Sequence, residues 1–492
     1  MRYYRLIITG LLLSVTTLTA IAQEGLSKQG CRRGTPRPQS VHLRRGGSDG
    51  QTPGGDFYHG ERHQLTVLVA FNNRSFAGGE AATLELWNNI FNTEHFTDGP
   101  FQGSVRDYFA AQSYGAFNVV FDLVYVQVSG DAKKYASTDE DDENSQYLVE
   151  DIVDKLKTLD IDWGKYDWNG DGKVNQLLIV YAGHGMHDST GSDLIWPHQW
   201  WMSEHLKDRL QDVYCDPITV SADDKDYLVD SYCALNELSK DGDYGVFGTI
   251  CHEYSHCFGF PDYYYGYATT VLHNWDLMDN GNYNSGGFLP AGYSAHERWL
   301  MGWLTPIELT STTSVVNMPA LADEGTAYLI RNDGWENEYY IVENRQPRGW
   351  DADLPGSGIL IFHIDYDPAI WTSTEEGTNS AKQKRYTVFH ANNKTSITYE
   401  DGWPYPYQEN SSLTNTSKPA ANLNRENSDG TKFMNKPITN MTVNGGLASF
   451  DVTITTTGMN GVTTAPTQLL YRFGVVDIVR DSKGNIRKII RE

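Results

Sequence analysis

The 492-residue sequence has few cysteines, few positive charges and, beyond its N-terminus, no apolar run long enough to cross a bilayer. Lys and Arg number 39 against 63 Asp and Glu, which gives a formal net charge of −24. Such an acidic surface repels nucleic acid and anionic lipid, and it argues against either as a partner. Hydrophobic residues make up 39% of the chain, which is enough to exclude wholesale disorder.

Residues 1–22 have the pattern of a secretory signal peptide. Arg2 and Arg5 provide a positive start, an apolar run extends from Leu6 to Leu18, and Ala20-Ile21-Ala22 offers a small-x-small cleavage site. A transmembrane anchor is the alternative, although the apolar run is too short to span a bilayer comfortably. We therefore expect export to the extracellular space or the cell surface. The five cysteines are an odd number, so an exported chain keeps at least one thiol outside any internal disulfide.

The rest of the chain divides by composition into four segments. Residues 23–60 are rich in Gly, Pro, Arg, Ser and Gln, which predicts a propeptide or a flexible N-terminal segment. Residues 61–305 alternate strand and helix candidates, which predicts an α/β arrangement. Residues 306–457 contain short strand candidates, which predicts an all-β domain or a β extension packed on the first domain. Residues 458–492 form a C-terminal tail with a basic end.

Individual elements can be assigned within these segments. Apolar runs predict buried strands, and polar or Gly-rich punctuation predicts where helices and turns begin. The expected elements are strands at Leu65–Phe71, Phe117–Val128 and Leu177–Tyr181, a short helix after Ser104, a helix over Ser145–Leu156, and a hairpin around Asn444-Gly445-Gly446.

The segment Gly248–Phe260 reads GTICHEYSHCFGF and has the pattern of a zinc-binding helix. His252 and His256 are four residues apart, so on a helix their imidazoles lie on one face and can bind one zinc ion. Glu253 lies one residue further round, where it can take a proton from a zinc-bound water. Two histidines with only structural roles are the alternative.

Three further residues extend this pattern. Gly259 can adopt the left-handed conformation that ends a helix and reverses the chain, and Asp262 follows three residues later. The spacing H-E-x-x-H-x-x-G-x-x-D is that of the metzincins with Asp in place of the third His. An Asp oxygen is an ordinary zinc ligand. Met278, within Trp275-Asp276-Leu277-Met278-Asp279, is a candidate Met-turn residue beneath the ligands, and a simple core methionine is the alternative.

These segments resemble the immune inhibitor A family of secreted bacterial zinc metallopeptidases over roughly residues 60–455. The similar segments are the zinc run HEYSHCFGFPD, WDLMD, Tyr293–Glu297 leading to Leu300–Trp303, Gly103–Phe109, Asp167–Asn175 and Glu338–Asp365. The resemblance implies that His252, His256 and Asp262 bind zinc, that Glu253 is the general base and that Met278 forms the Met-turn. The implied fold class is α+β, with a metzincin-like zinc peptidase domain built on a mixed sheet and an active-site helix, followed by the all-β domain.

The predicted activity is that of a secreted zinc endopeptidase that acts on extracellular proteins or peptides, as a monomer with no nucleic-acid partner. Glu253 would accept the proton of the attacking water and pass it to the leaving amine. Candidates for stabilising the oxyanion are Tyr263 to Tyr265, Tyr293 and His296. Packing or a place in the cleft wall is the alternative for each of them.

The loop Asp167–Asn175 has the spacing of a calcium loop. Its ligands would be Asp167, Asn169, Asp171, Lys173 through its carbonyl, and Asn175, with Gly172 at the sixth position allowing the sharp turn. Leu178 occupies the twelfth position, so the bidentate Glu of an EF-hand is missing. We expect a structural Ca²⁺, and an Asp- and Gly-rich surface turn is the alternative.

Two other groups are candidate metal ligands. His184-Gly185-Met186-His187 would form a second metal site or, alternatively, a Gly-rich loop beside the cleft. Cys31 would hold the enzyme latent by binding the zinc, and Asp49 or Asp56 would do so through oxygen. A thiol with no such role is the alternative for Cys31.

Two competing functions stay open on the sequence alone. In a gluzincin-type peptidase a downstream Glu is the third ligand, and Glu297 could take that part, but Gly259, Asp262 and Met278 would then have no explanation. A non-catalytic surface-binding protein with structural zinc is the other alternative. Structural zinc normally has four protein ligands, often Cys, and no adjacent Glu base.

Overall fold

The computed structural model describes residues 32–33, 55–136, 144–208, 213–265, 269–371 and 377–455, together with three strands between residues 468 and 490. The predicted signal peptide, residues 1–22, lies outside the described residues, as do Cys31 and Asp49. No helix within the described ranges is long and apolar enough to cross a membrane.

The elements are numbered in chain order. The helices are α1 (Gly79–Asn92), α2 (Val105–Gln112), α3 (Ala132–Tyr135), α4 (Ser145–Leu156), α5 (Phe247–Cys257), α6 (Ala295–Leu300), α7 (Leu321–Glu324) and α8 (Pro368–Trp371). The strands are β1 (Arg32–Arg33), β2 (Gly60–Ala70), β3 (Phe117–Gln127), β4 (Leu177–His184), β5 (His198–Trp201), β6 (Leu206–Asp208), β7 (Val213–Tyr214), β8 (Ile218–Ala222), β9 (Lys225–Val229), β10 (Ser231–Leu238), β11 (Ile307–Glu308), β12 (Thr313–Met318), β13 (Tyr328–Arg331), β14 (Glu338–Arg345), β15 (Gly358–Asp365), β16 (Tyr386–Val388), β17 (Ile438–Asn444), β18 (Leu447–Val452), β19 (Gln468–Phe473), β20 (Val476–Arg480) and β21 (Ile486–Ile490).

A six-stranded mixed sheet organises the N-terminal part, with strand order β1-β5-β10-β4-β2-β3. The pairs β2–β3, β2–β4 and β4–β10 are parallel, whereas β5 runs antiparallel to β10. β4 reads LLIVYAGH and is buried through its first seven residues, because both faces of this parallel region are covered. The result is the mixed α/β architecture expected for residues 61–305.

Helices cover both faces of this sheet. One apolar cluster joins Leu68 and Val180 of the sheet to Trp87 on α1, Phe109 on α2 and Ile250 on α5. The second cluster, on the opposite face, packs α4 against β2 and β4 through residues such as Val67, Ile152 and Ile179. The zinc-helix candidate α5 therefore lies in the core on one side of the sheet.

The chain after residue 306 consists mostly of strands. A five-stranded sheet has the order β11-β13-β14-β15-β16, and a three-stranded sheet has the order β12-β18-β17. Helices α7 and α8 in this region have four residues each. The predicted hairpin is confirmed, because β17 and β18 pair up to Asn444 and Leu447 across Gly445-Gly446, both at positive φ.

Contacts between residues group the chain into two compact units, one ending at Thr453 and one beginning at Ile454. In the second unit, β19, β20 and β21 form a three-stranded antiparallel sheet within the predicted C-terminal tail. The first unit contains every other element, including those on both sides of residue 305. The domain boundary at residues 305 and 306 stays a prediction.

Candidate metal centre

Helix α5 is buried along its entire length, and two glycines determine how it fits its surroundings. A Cβ atom on Gly248 would lie 1.9 Å from the carbonyl oxygen of Asn282, so only glycine allows this close approach. At the other end Gly259 has φ +94°, and its N–H donates to the carbonyl of His256 at 2.9 Å. This left-handed residue reverses the chain and returns Asp262 towards the helix.

Three side-chain atoms meet where the chain returns. His252 Nε2 lies 3.1 Å and His256 Nε2 lies 3.4 Å from Asp262 Oδ1. Among the described residues, these three side chains form a group whose ligand atoms all lie within 4.8 Å of one another. Within the same ranges, none of the three buried atoms has a hydrogen-bond partner of good geometry. Buried polar atoms are normally satisfied, and a cation bound between these three atoms would satisfy them.

In both imidazoles, Nδ1 bonds to a backbone carbonyl and Nε2 faces the candidate metal site. The Nδ1–H of His252 donates to the carbonyl of Leu277, and that of His256 donates to the carbonyl of Phe260, each at 2.8 Å. Since a carbonyl only accepts, each Nδ1 carries a proton, and in the neutral ring the lone pair is then on Nε2.

The charges of the group also suit a metal ion. Burial lowers the pKa of His256, which favours the neutral imidazole that a metal requires. Burial tends to raise the pKa of Asp262, but the neighbouring imidazoles bring it below its ordinary value, so the carboxylate is ionised. Two neutral imidazoles and one carboxylate are the donor set of a catalytic zinc site with a fourth position open to water or substrate.

The Met278 segment supports the three candidate ligands through backbone hydrogen bonds. Asp276 Oδ1 accepts from the Met278 N–H at 2.9 Å and shapes the turn. The carbonyl of Leu277 orients His252, and the carbonyl of Met278 accepts from the Tyr263 N–H at 2.9 Å, one residue after Asp262. The Met278 side chain is fully buried in the core that contains α5. The consecutive carbonyls of Leu277 and Met278 thus hold the His252 ring and the segment that carries Asp262.

Glu253 is fully buried beside the three candidate ligands. Its Oε2 atom lies 3.9 Å from His256 Nε2, so the carboxylate lies next to the place where the candidate ligand atoms converge.

Glu297 lies elsewhere. Its Oε2 accepts from the N–H and the hydroxyl of Ser294, in the capping box that begins α6. Burial raises the pKa of Glu297 to about 7. Glu297 is not a member of the three-residue group found among the described residues.

The residues considered for stabilising the oxyanion differ in their burial and in their contacts. Tyr293 is buried, bonds through its hydroxyl to Ser255 on α5 and stacks on Trp303, as expected of a packing residue. The buried ring of His296 lies among the aromatic rings of Tyr339, Tyr366, Trp371 and Tyr386. Tyr263 is buried too, whereas Tyr264 and Tyr265 are partly exposed.

The predicted calcium loop is a compact turn stabilised by its own backbone. Asp167 accepts from the N–H groups of Asp171 and Gly172, and Asp171 accepts from Lys173. Asn175 accepts from the Trp168 N–H at 2.6 Å. These bonds also suit an Asp- and Gly-rich turn, so the calcium ion stays a prediction.

His184 and His187 do not join a group of three ligands among the described residues. The ring of His184 bonds through Nδ1 to the carbonyl of Ser239 at 2.7 Å. His187 is buried, and its Nε2 lies 3.8 Å from Asp188. Burial lowers the pKa of His187.

Two contacts with the ligand segments were not apparent from the sequence. Asp276 stands inside the WDLMD segment, but its role in shaping the turn follows only from the coordinates. Asn379 donates to the carbonyl of Tyr263 across 116 residues of chain. No local pattern signals a contact of this range.

Comparison with known families agrees with this geometry. Residues 61–301 match the family described as immune inhibitor A peptidase M6, catalytic domain. No curated protein matches the chain. The matched segment contains α5, the three ligand candidates and Met278. Residues 61–301 therefore form a metallopeptidase catalytic domain of the immune inhibitor A peptidase M6 family.

Proposed function

We propose that this metallopeptidase is a secreted zinc endopeptidase that binds one zinc ion through His252, His256 and Asp262. The observation that carries the proposal is the convergence of two lone-pair nitrogens and one carboxylate oxygen in a buried site. Zinc bound there would act as a Lewis acid that brings the pKa of water towards neutrality and polarises a carbonyl.

Glu253 is the proposed general base. Its buried carboxylate faces the open side of the ligand group, where it would accept a proton from the attacking water at a carboxylate oxygen. The same oxygen would then donate that proton to the leaving amine. Buried surroundings exclude bulk water and strengthen both transfers.

The metzincin-like assignment rests on three features that act together. The left-handed Gly259 reverses the chain, Asp262 returns as third ligand, and the Met278 turn supports the ligand segments through backbone carbonyls. A third ligand at Glu297 would leave this arrangement unexplained. The β-rich region from residue 306 is proposed as a second structural part of the enzyme.

The proposed substrates are extracellular proteins and peptides. Export follows from the signal-peptide pattern at residues 1–22, and the acidic net charge of −24 suits a protein that does not bind nucleic acid. Action as a monomer, latency through Cys31 and a structural calcium ion at Asp167–Asn175 remain predictions from the sequence.

The proposed roles are tested by replacing Glu253 with Gln in the full chain. Gln keeps the side-chain volume but cannot take up a proton, so kcat on a protein substrate should fall by about 10²–10⁴-fold. Zinc content, measured by metal analysis, should stay at the wild-type level. Glu237→Gln, at a buried glutamate on β10, controls for loss of a buried carboxylate. Wild-type cleavage by Glu253→Gln would contradict the mechanism.

A further inference from the structure

The segments around the candidate metal centre form hydrogen bonds with residues beyond 301, where the family match ends. Asn379 donates to the carbonyl of Tyr263 at 2.8 Å. Glu400 pairs with the ring of His273 at 2.7 Å, just before the Met278 turn. Asn379 acts nearest to a ligand, because Tyr263 directly follows Asp262.

Asn379 is fully buried and its amide is saturated with partners. Its Nδ2 donates to the carbonyls of Tyr263 and Tyr386, at 2.8 and 2.9 Å. Its Oδ1 accepts from the N–H groups of Arg385 and Tyr386, at 2.9 and 3.0 Å. Three of these four bonds fix the amide to the chain at the start of β16, so the fourth presents a fixed donor to Tyr263.

Tyr263 is consequently held from two sides. Its N–H donates to the Met278 carbonyl at 2.9 Å, and its own carbonyl accepts from Asn379. Its ring packs edge-on against Tyr386, with the ring centres 4.5 Å apart. Asp262 lies outside any helix or strand, so these bonds to the next residue set the position of its carboxylate.

We propose that Asn379 is a positioning residue for the zinc centre: it fixes the peptide that follows Asp262 and so keeps the Asp262 carboxylate within reach of the metal. This inference rests on the proposed zinc site. It also gives part of the β-rich region a supporting role in metal binding, because Asn379 lies outside the matched catalytic segment.

Asn344 offers a matched control. It is also fully buried, and its Nδ2 donates to two carbonyls, those of Met318 and Gly446, at 3.0 and 2.8 Å. Its Oδ1 accepts from the Gln346 side chain at 2.8 Å. None of these partners belongs to a ligand segment. Replacing either asparagine with Ala removes a similar set of buried hydrogen bonds, but only Asn379→Ala releases Tyr263.

The test compares the full-length wild type, Asn379→Ala and Asn344→Ala after zinc loading. Competition with a chelator gives the zinc dissociation constant, and cobalt substitution gives visible bands that report ligand geometry. We expect Asn379→Ala to weaken zinc binding by about 10–100-fold and to change the cobalt bands, as loss of ligand support does elsewhere. Asn344→Ala should stay within about twofold of wild type. Denaturant unfolding should show similar losses of stability in both variants.

Equal zinc affinity and equal cobalt spectra in the two variants would overturn the inference while leaving the zinc site intact. A wild-type chain that binds no zinc would overturn the proposed function instead. If the alanine variants do not fold, Asn379→Ser and Asn344→Ser replace them under the same criteria, because a serine hydroxyl can still serve a neighbouring backbone N–H.

Discussion

The proton positions on His252 and His256 determine what the centre can bind. Each Nδ1–H donates to a backbone carbonyl, so Nε2 is the nitrogen that faces Asp262 in both rings and the one that can bind a metal when the ring is neutral. A cation between these three atoms would satisfy all of them at once. The chemistry of the site thus depends on the carbonyls of Leu277 and Phe260 as well as on the ligands themselves.

Replacing Asp262 with Ala tests the third ligand. Substitutions of residues that only support a ligand weaken metal binding by ~10–100-fold. Asp262→Ala should weaken zinc binding by more than this, because it removes a ligand atom and the negative charge that offsets the metal. Chelator competition measures the effect. Asp154→Ala, at an exposed position of α4, should bind zinc as wild type does. Unchanged zinc affinity in Asp262→Ala would remove it from the ligand set.

For single residues, the sequence predicted those site candidates whose relative positions depend on a short stretch of chain. The spacing of His252, Glu253 and His256 follows from one helix, and Gly259 explains how Asp262 can return so soon. Asn379 was not predicted, since its contact with Tyr263 depends on the folding of a distant strand. Tyr293 and His296 were left ambiguous, because an aromatic ring near a site and one in the core have the same sequence signal.

At the scale of secondary-structure elements, the zinc-helix candidate α5 packs directly against the backbone of a neighbouring segment. Gly248 faces the carbonyl of Asn282, where no Cβ atom fits. Strands β2, β3 and β4 of the large sheet and helix α4 were predictable, because continuous apolar runs and a helical period are signals within one segment. The strands from β5 to β10 were not predicted. Strands β5 to β9 have five residues or fewer, and β10 pairs with β4 and β5, which lie tens of residues earlier in the chain.

Replacing Gly248 with Ala tests this packing. At an ordinary helix position the change should stabilise a protein by up to about 1 kcal/mol, because Ala is the better helix former. Here the expected effect has the opposite sign, a loss of about 1–3 kcal/mol in the free energy of unfolding, because the added methyl group must push the Asn282 backbone away. Denaturant unfolding measures the change, and a gain in stability would contradict the close contact.

On the scale of the whole molecule, the β-rich region and the catalytic segment are joined by buried charges. Arg345 on β14 pairs with Glu343 and Asp351, at 3.2 and 2.7 Å, and donates to the Gly292 carbonyl. Glu343 accepts from the Ala295 N–H at 2.7 Å, at the start of α6. These bonds link β14 to the catalytic segment within the compact unit that ends at Thr453. The change in composition near residue 306 gives no sign of these contacts between residues far apart in the sequence.

The buried acids of this region predict how stability changes with pH. Burial raises the pKa of Glu297 from 4.5 to about 7, so its contribution to folding is fully present below pH 4.5 and is lost as the pH rises through 7. Glu297→Gln should therefore reduce the loss of stability between pH 5 and pH 8 by about 1–3 kcal/mol. Urea unfolding of the zinc-free chain measures it. Glu324→Gln, at an exposed site, should retain the wild-type pH profile, and an equally steep profile in Glu297→Gln would contradict the assignment.

The central claim is that His252, His256 and Asp262 bind the zinc ion on which peptide cleavage depends. Its most direct test is a zinc titration of the chelator-treated full chain, in which bound zinc and cleavage of an unstructured protein substrate are measured together. The account predicts that cleavage returns in proportion to bound zinc and saturates at one zinc per chain, and that the double variant His252→Ala, His256→Ala neither binds zinc at that site nor cleaves. Cleavage that persists without zinc, or equally tight zinc binding by the double variant, would contradict it.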